Sequence, residues 1–218
     1  MLRWFSVRLL FAGLPTLFVF AGFAPAQDSL IQHPFYPLKV GHQWTYRSGK
    51  EQVVVQVEKE VPLEFKRDDK AERSEKAVGA QLKITSGSRE VTETVAVLSD
   101  GVYKFTTAGK TLKPPLRFFK FPLDPVKKEE WKIDSKTDDG KLRQGRFISG
   151  TDTLKLAING KPAEDVDTVT ITSADFRGDG QDLAVKFWFA RGLGVVRQQV
   201  RIGKTEMTLE LEQFKAGK

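Results

Sequence analysis

A chain without cysteine must draw its chemistry from histidines, carboxylates, hydroxyls or a bound metal, and this sequence sets few of these in working patterns. Its two histidines, His33 and His42, both lie early in the chain. His42 stands between Gly41 and Gln43, just before Trp44, with no carboxylate near it in sequence, which fits a loop position better than a general base. A zinc centre would need a His-Glu-x-x-His helix or a second ligand cluster, and neither occurs. Asp175, Asp179 and Gly180 match the first, fifth and sixth places of a calcium loop. Arg177 and Lys186 then place cations at the third and twelfth, where the ion needs oxygen. Glu164 and Asp165 face opposite ways on an extended chain, so with Asp167 they make no acid-base pair for glycoside hydrolysis. No Gly-x-Ser-x-Gly elbow is present to activate a serine.

The segment FWFARGLGVVRQ, residues 187–198, carries the remaining suggestion of a ligand loop. A dinucleotide fingerprint requires a strand, then G-x-G-x-x-G, then a helix whose first amides face the phosphates. Gly192 and Gly194 supply the first two glycines, but Arg197 takes the third place and VVRQQVRI alternates like a strand. The two glycines are therefore expected at a sharp bend or bulge between strands, where a side chain would clash. Phe187 and Phe189 should share one face there, with Trp188 on the other.

The elements that would position such residues are short and alternate with a period of two. Val53, Val55 and Val57 share one parity; so do Leu154, Leu156 and Ile158, then Val185, Phe187 and Phe189, and Met207, Leu209 and Leu211. One buried and one wet face is the pattern of antiparallel sheet. Asp100-Gly101, Asn159-Gly160, Gly178-Asp179-Gly180 and Gly203-Lys204 punctuate the runs as turns. Residues 62–76, PLEFKRDDKAERSEK, hold five acidic and five basic side chains and are expected to form one short helix or a long charged loop. LKPPLRFFKFPLDPVKK, residues 112–128, mixes phenylalanines with cations, and its prolines predict an irregular, braced connection. Pro37-Leu38 before Trp44 and Pro122-Leu123 before Trp131 form a faint internal echo that would mark two halves of one sheet.

The first residues read as an export leader: Arg3 and Arg8, an apolar run from Leu9 to Phe23, then Ala24-Pro25-Ala26 for cleavage. This predicts a signal peptide at 1–26 and a single antiparallel β domain at 27–218, free in the periplasm or outside the cell, with no transmembrane segment in the mature chain. Loss of Arg3 and Arg8 lowers the net charge of +7 by two, and without a basic helix or aromatic module nucleic acid is not an expected partner.

Four segments resemble a family of secreted bacterial proteins frequent in planctomycetes: PFYPLKVGHQWTYR, FKFPLDPVKKEEWKI, INGKPAEDVDTVTI and FWFARGLGVVRQQ. The matching positions are Pro37, Leu38, Gly41, Trp44 and Tyr46; Pro122, Leu123 and Trp131; Pro162 and Ala163; and Trp188, Phe189, Ala190, Gly192, Gly194 and Val196. Glu164 and Val126-Lys127-Lys128 depart from glycines usual in that family. The resemblance implies a curved antiparallel sheet akin to the incomplete barrels of lipoprotein carriers, and it implies no activity.

Together these readings give a mainly β fold, a curved sheet or half-barrel, in a noncatalytic protein that needs no cofactor or metal. Its expected partner is an apolar or lipid-like ligand in a cavity or mouth lined by Trp44, Phe118, Phe119, Trp131 and Trp188. The alternatives are an envelope module that binds another protein and a metal-independent hydrolase.

Overall fold

The computed structural model describes residues 29–68, 71–121, 127–178 and 180–217, so the expected leader and the Pro122-Leu123 segment lie outside the described residues. Among the described residues the chain forms twelve strands and no helix. The strands are β1 (Gln43–Ser48), β2 (Glu51–Phe65), β3 (Glu75–Ser86), β4 (Arg89–Leu98), β5 (Gly101–Thr107) and β6 (Lys110–Lys120). The second half holds β7 (Glu130–Thr137), β8 (Leu142–Leu156), β9 (Glu164–Gly178), β10 (Gln181–Ala190), β11 (Gly194–Ile202) and β12 (Thr205–Lys215).

Each strand pairs antiparallel with its sequence neighbours, and β1 pairs with both β2 and β12, so the sheet closes into a barrel. This corrects the half-barrel expectation: alternation reports which face is buried but not whether the first and last strands meet. One face of each strand lines the interior, as the register from Val57 to Leu82 and from Val97 to Val102 illustrates.

The charged segment 62–76 begins and ends as strand rather than as the expected helix or long loop. At these ends Leu63 lies opposite Ala77 and Phe65 opposite Glu75, with bends at 67–68 and 72–73 between them. The reason is packing. The long β2–β3 hairpin bends at a bulge beside Glu58 and runs beyond the part of β3 that pairs with β4. Its apolar positions Leu63, Phe65 and Ala77 then build a second small core with Ala96, Leu98, Tyr103 and Phe105 on the outer side of the barrel. Phe65 meets Phe105 edge-on at 4.9 Å. A polar latch holds the arm down. Asp100 pairs with Arg67 of the turn and with Arg117 of β6 at 2.9 Å, and accepts the Tyr103 hydroxyl at 2.8 Å. Burial alone would raise the Asp100 carboxyl, but the Tyr103 and Arg67 hydrogen bonds and the two guanidinium charges hold it below its ordinary value. Burial, then the same Asp100 contact, pushes Tyr103 up to about 12.

The expectation for residues 112–128 also changes, because Lys110–Lys120 is strand β6 despite Pro114 and Pro115. Both prolines sit where neither neighbour uses a backbone donor. Pairing with β5 skips from Thr111 to Leu116, and pairing with β7 stops after Leu112 and Lys113. A further register shift in β6 sets Phe119 opposite Val102 and Arg117 opposite Tyr103, which leaves Phe118 as the extra residue of a bulge and buries two consecutive phenylalanines.

One end of the barrel is plugged by residues 30–42. Leu30 and Leu38 join the main core, and Gln32 clamps the loop with hydrogen bonds to both the carbonyl and the amide of Leu38. Tyr36 packs edge-on against Phe118 at 5.4 Å, and His33 stacks on Phe121 at 3.8 Å. Burial, then the nearby Arg191 charge, holds the His33 imidazole below its ordinary value.

Two outcomes are expected from this packing. A Cβ added at Gly101 would lie 2.2 Å from the Phe119 carbonyl oxygen, so Gly101→Ala should lower unfolding stability by about 1–3 kcal/mol in urea titration; an unchanged midpoint would show that the β5–β6 approach is looser than described. For His33 the depressed value means that its contribution is full above the unfolded value near 6.5 and is lost as pH falls through the folded one. His33→Phe keeps the stack and removes the proton site, so the fall in melting temperature between about pH 7.5 and about pH 5 should be smaller than in the parent chain. An equal fall would place that acid sensitivity elsewhere.

Candidate functional site

The hairpin turns between β5 and β6, β7 and β8, β9 and β10, and β11 and β12 gather at the end opposite the plug. Beneath them lies an interior cavity of about 200 Å³. Its apolar wall includes Leu116 and Phe118 of β6, Phe147 of β8, Phe176 of β9, Phe187 of β10 and Val200 of β11. Register explains the convergence: Phe147 lies opposite Trp131, Phe176 opposite Leu183, and Phe187 opposite both Ile171 and Gln198, all on the inward parity. Phe147 and Phe176 stack at 6.0 Å, and Phe118 and Phe187 tilt together at 6.3 Å.

Polar groups enter this wall at few points. Lys104 is inward on β5, with its ammonium 5.5 Å from the centre of the Phe118 ring and 2.8 Å from Glu93 of β4. Thr107 donates to the other Glu93 oxygen at 3.3 Å. Arg143 is inward on β8, opposite Ser135 on one side and Gly178 on the other, and only 8% exposed. Its Nη1 donates to the Leu142 carbonyl at 3.2 Å.

Of the five aromatic residues expected to line a mouth, Phe118 lines this cavity, and Trp131 stands behind it with its ring edge-on to Phe147 at 5.8 Å. The Trp131 indole donates to the Arg117 carbonyl at 3.0 Å, across the gap where β6 and β7 have no ladder. Phe119 is fully buried at the plugged end, stacked on Phe189 at 4.5 Å. Trp44 is also at that end, where its indole donates to the Leu193 carbonyl at 2.5 Å. Trp188 faces outward, as alternation predicts. It lies beneath Lys186 at 4.3 Å and donates to Asp152 at 2.9 Å. That hydrogen bond, with Lys186 beside it, holds the Asp152 carboxyl below its ordinary value. The five therefore occupy different parts of the molecule.

Gly192 and Gly194 form the turn between β10 and β11, both with φ of 76°, a conformation that favours glycine. The Gly192 amide donates to the Pro34 carbonyl at 2.6 Å, so the turn is tied to the plug and leads into a strand. Both histidines are engaged at this end as well. His33 lies on Phe121, and His42 lies edge-on to Trp44 at 5.9 Å and Phe214 at 5.3 Å. In the former calcium-loop candidate, Arg177 pairs with Asp182 at 3.1 Å and Asp175 pairs with Arg146 at 3.0 Å.

Sequence reasoning missed Leu116, Phe147, Phe176, Val200, Lys104 and Arg143 as cavity residues. Alternation could have marked Arg143 as a cation on the inward parity of Gly145 and Phe147. A second hollow, about 500 Å³, lies outside the barrel between the β2–β3 arm and the start of β6. It is larger and is bordered by Leu63, Phe65, Phe105, Pro114 and Pro115 as well as by Glu64, Lys66, Asp68 and Ser74; the interior cavity differs from it in place, with apolar side chains converging from β6, β8, β9, β10 and β11 inside the barrel.

No family model matches the chain, and no curated protein matches it. Two solved structures resemble it. A candidate exported protein with a YmcC-like fold from Bacteroides fragilis NCTC 9343 aligns over 84% of this chain and 99% of its own, with 12% identity and a TM-score of 0.46. A candidate lipoprotein from Parabacteroides distasonis ATCC 8503 aligns over 85% of this chain and 100% of its own, with 12% identity and a TM-score of 0.47. Neither organism is a planctomycete, so the planctomycete grouping of the sequence motifs gains no support from them.

Proposed function

We propose that the chain is an exported, noncatalytic binding protein whose barrel interior takes up one small apolar molecule through the end opposite the plug. The observation that carries this reading is the interior cavity, whose aromatic and aliphatic wall comes from β6, β8, β9, β10 and β11. A mainly apolar wall with a few placed polar groups is the usual make-up of a small-molecule site. At about 200 Å³ the cavity falls below the range of roughly 300–1,000 Å³ usual for drug-sized ligands, which favours a single short chain or one ring over a bulky lipid. The noncatalytic part of the reading is supported by the positions of His33 and His42, both packed among aromatic rings around the plug rather than presented to the cavity. A protein-docking role would need a free sheet edge. In the gap between β6 and β7, where the ladder is interrupted, Pro114 and Pro115 have no amide hydrogen to offer a docking strand.

Calorimetric titration with toluene, a single ring of a size the cavity can hold, tests the reading. The full chain should bind toluene saturably. Val200→Trp, which places bulk at the open end of the cavity, should weaken binding at least about tenfold while the fold is kept. Absence of saturable binding, or unaltered affinity in the variant, would remove the interior as the site.

A further inference from the structure

We propose that the ligand of this cavity is an unbranched aliphatic chain longer than the cavity itself, and that Ile202 and Met207 form the lip along which its outer part lies. The inference rests on the reading of the interior as an apolar binding site and adds the shape of the ligand and the residues that select its length.

On the side of β10, β11 and β12 the apolar wall does not end at the mouth. Leu183, Val185 and Val200 line the cavity, and register carries the same face outward. Leu183 lies opposite Ile202 and Val200 opposite Met207, so all of them share the inward parity. On β12, Met207 alternates in step with Leu209 and with Leu211, which is buried in the core. Ile202 and Met207 are nevertheless each 47% exposed, more than any other large apolar side chain among the described residues. The reason is length. The ladder between β1 and β12 ends at Arg47 and Glu210, so residues 205–209 run on past it and the β11–β12 hairpin reaches beyond its neighbour.

A lone exposed apolar residue needs no explanation, but these two continue the wall of a cavity. They are diagonal neighbours across β11 and β12, the arrangement in which long side chains on one face of a sheet meet. Met207 adds a flexible thioether that adapts to what lies on it. Elsewhere on the wall Lys104 and Thr107 of β5 and Arg143 of β8 bring polar groups, each engaged within the protein. The apolar way out therefore runs along β11 and β12. A space of about 200 Å³ is filled by a short stretch of chain, and a compact ring has nothing left to place on a narrow strip outside it. An unbranched chain fills the cavity with one end and lays its next methylenes over Ile202 and Met207.

A methylene taken wholly out of water raises affinity about fourfold, and one that lies on the lip with one side wet about twofold. The test is calorimetric titration of the full chain with 1-hexanol and with 1-decanol, which share a head and differ in length. Decanol should bind at least about tenfold more tightly than hexanol. Ile202→Thr combined with Met207→Gln keeps a strand-forming residue and the length of the side chain while making the lip polar. That pair should cut the preference for decanol to about threefold or less, and each substitution alone should remove part of it, which retains a decisive comparison if the double variant does not fold. Equal affinities for the two alcohols in the parent chain, or an unchanged preference in the variants, would overturn the lip while leaving the cavity as a site for short ligands. Binding of neither alcohol would overturn both the lip and the site.

Discussion

A closed sheet of twelve strands encloses more space than its own walls readily fill. Eight strands make a barrel whose interior side chains can just occupy, and diameter grows with each strand added. The remaining features of this molecule follow from that geometry. The bulge at Phe118 sends two successive phenylalanines into the core. Residues 30–42 fold across one end and contribute Leu30, Tyr36 and Leu38. Trp44 and Tyr46 fasten the adjoining turn through bonds to the Leu193 and Val195 carbonyls. What these devices leave unfilled is the cavity at the other end, and its position there follows from the plug being on one side only.

Three of the six strands in the first half of the barrel match in length their counterparts in the second. β2 and β8 are both 15 residues long, β4 and β10 both 10, and β6 and β12 both 11. Trp44 and Trp131 each occupy the second position of the strand that opens a half. Each half extends a long hairpin past its neighbours. The first closes over the outer side of β4 and β5, and the tip of the second returns to β12, where Asn159 accepts from the Phe214 amide at 2.8 Å. The junctions between halves differ. β12 and β1 join by a backbone ladder, but β6 and β7 join largely through side chains: Trp131 to Arg117, Ser135 to Pro114 at 2.6 Å, and Lys120 to Glu129 at 2.8 Å. Leu112 stands at this junction and lines both the interior cavity and the outer hollow. The wall beside the cavity is thus held by the fewest backbone bonds, which makes it the place where local opening costs least.

Much of the strand content was legible because a half-buried strand writes its orientation into every second residue. Phe187, Trp188 and Phe189 face as their order implies, and Gly192 and Gly194 turn the chain as glycines before a strand should. Of the echo between Pro-Leu segments and tryptophans, Trp44 and Trp131 take the same second position in β1 and β7, while Pro122-Leu123 lies outside the described residues. Closure was not legible, because it depends on β1 meeting β12 across the whole length of the chain. The charged arm was misread because its charges outnumber Leu63, Phe65 and Ala77, the three residues that decide its conformation. β6 was misread because proline argues against strand only where a backbone donor is required, and none is required at Pro114 or Pro115. For the site, the inward set could be read from parity, but which inward residues share one cavity depends on the plug and the bulge. Trp44 and Phe119 are inward and still far from it, because they serve the plugged end.

The central claim is that closure around a one-sided plug leaves an apolar space that accepts a guest. Diffraction from a crystal held under xenon tests it without assuming what the natural ligand is, since xenon occupies dry apolar cavities of this kind. The account requires an anomalous peak among Leu116, Phe118, Phe147 and Phe187. A crystal with no xenon there, or with xenon only in the outer hollow beside Phe65 and Pro114, would contradict it.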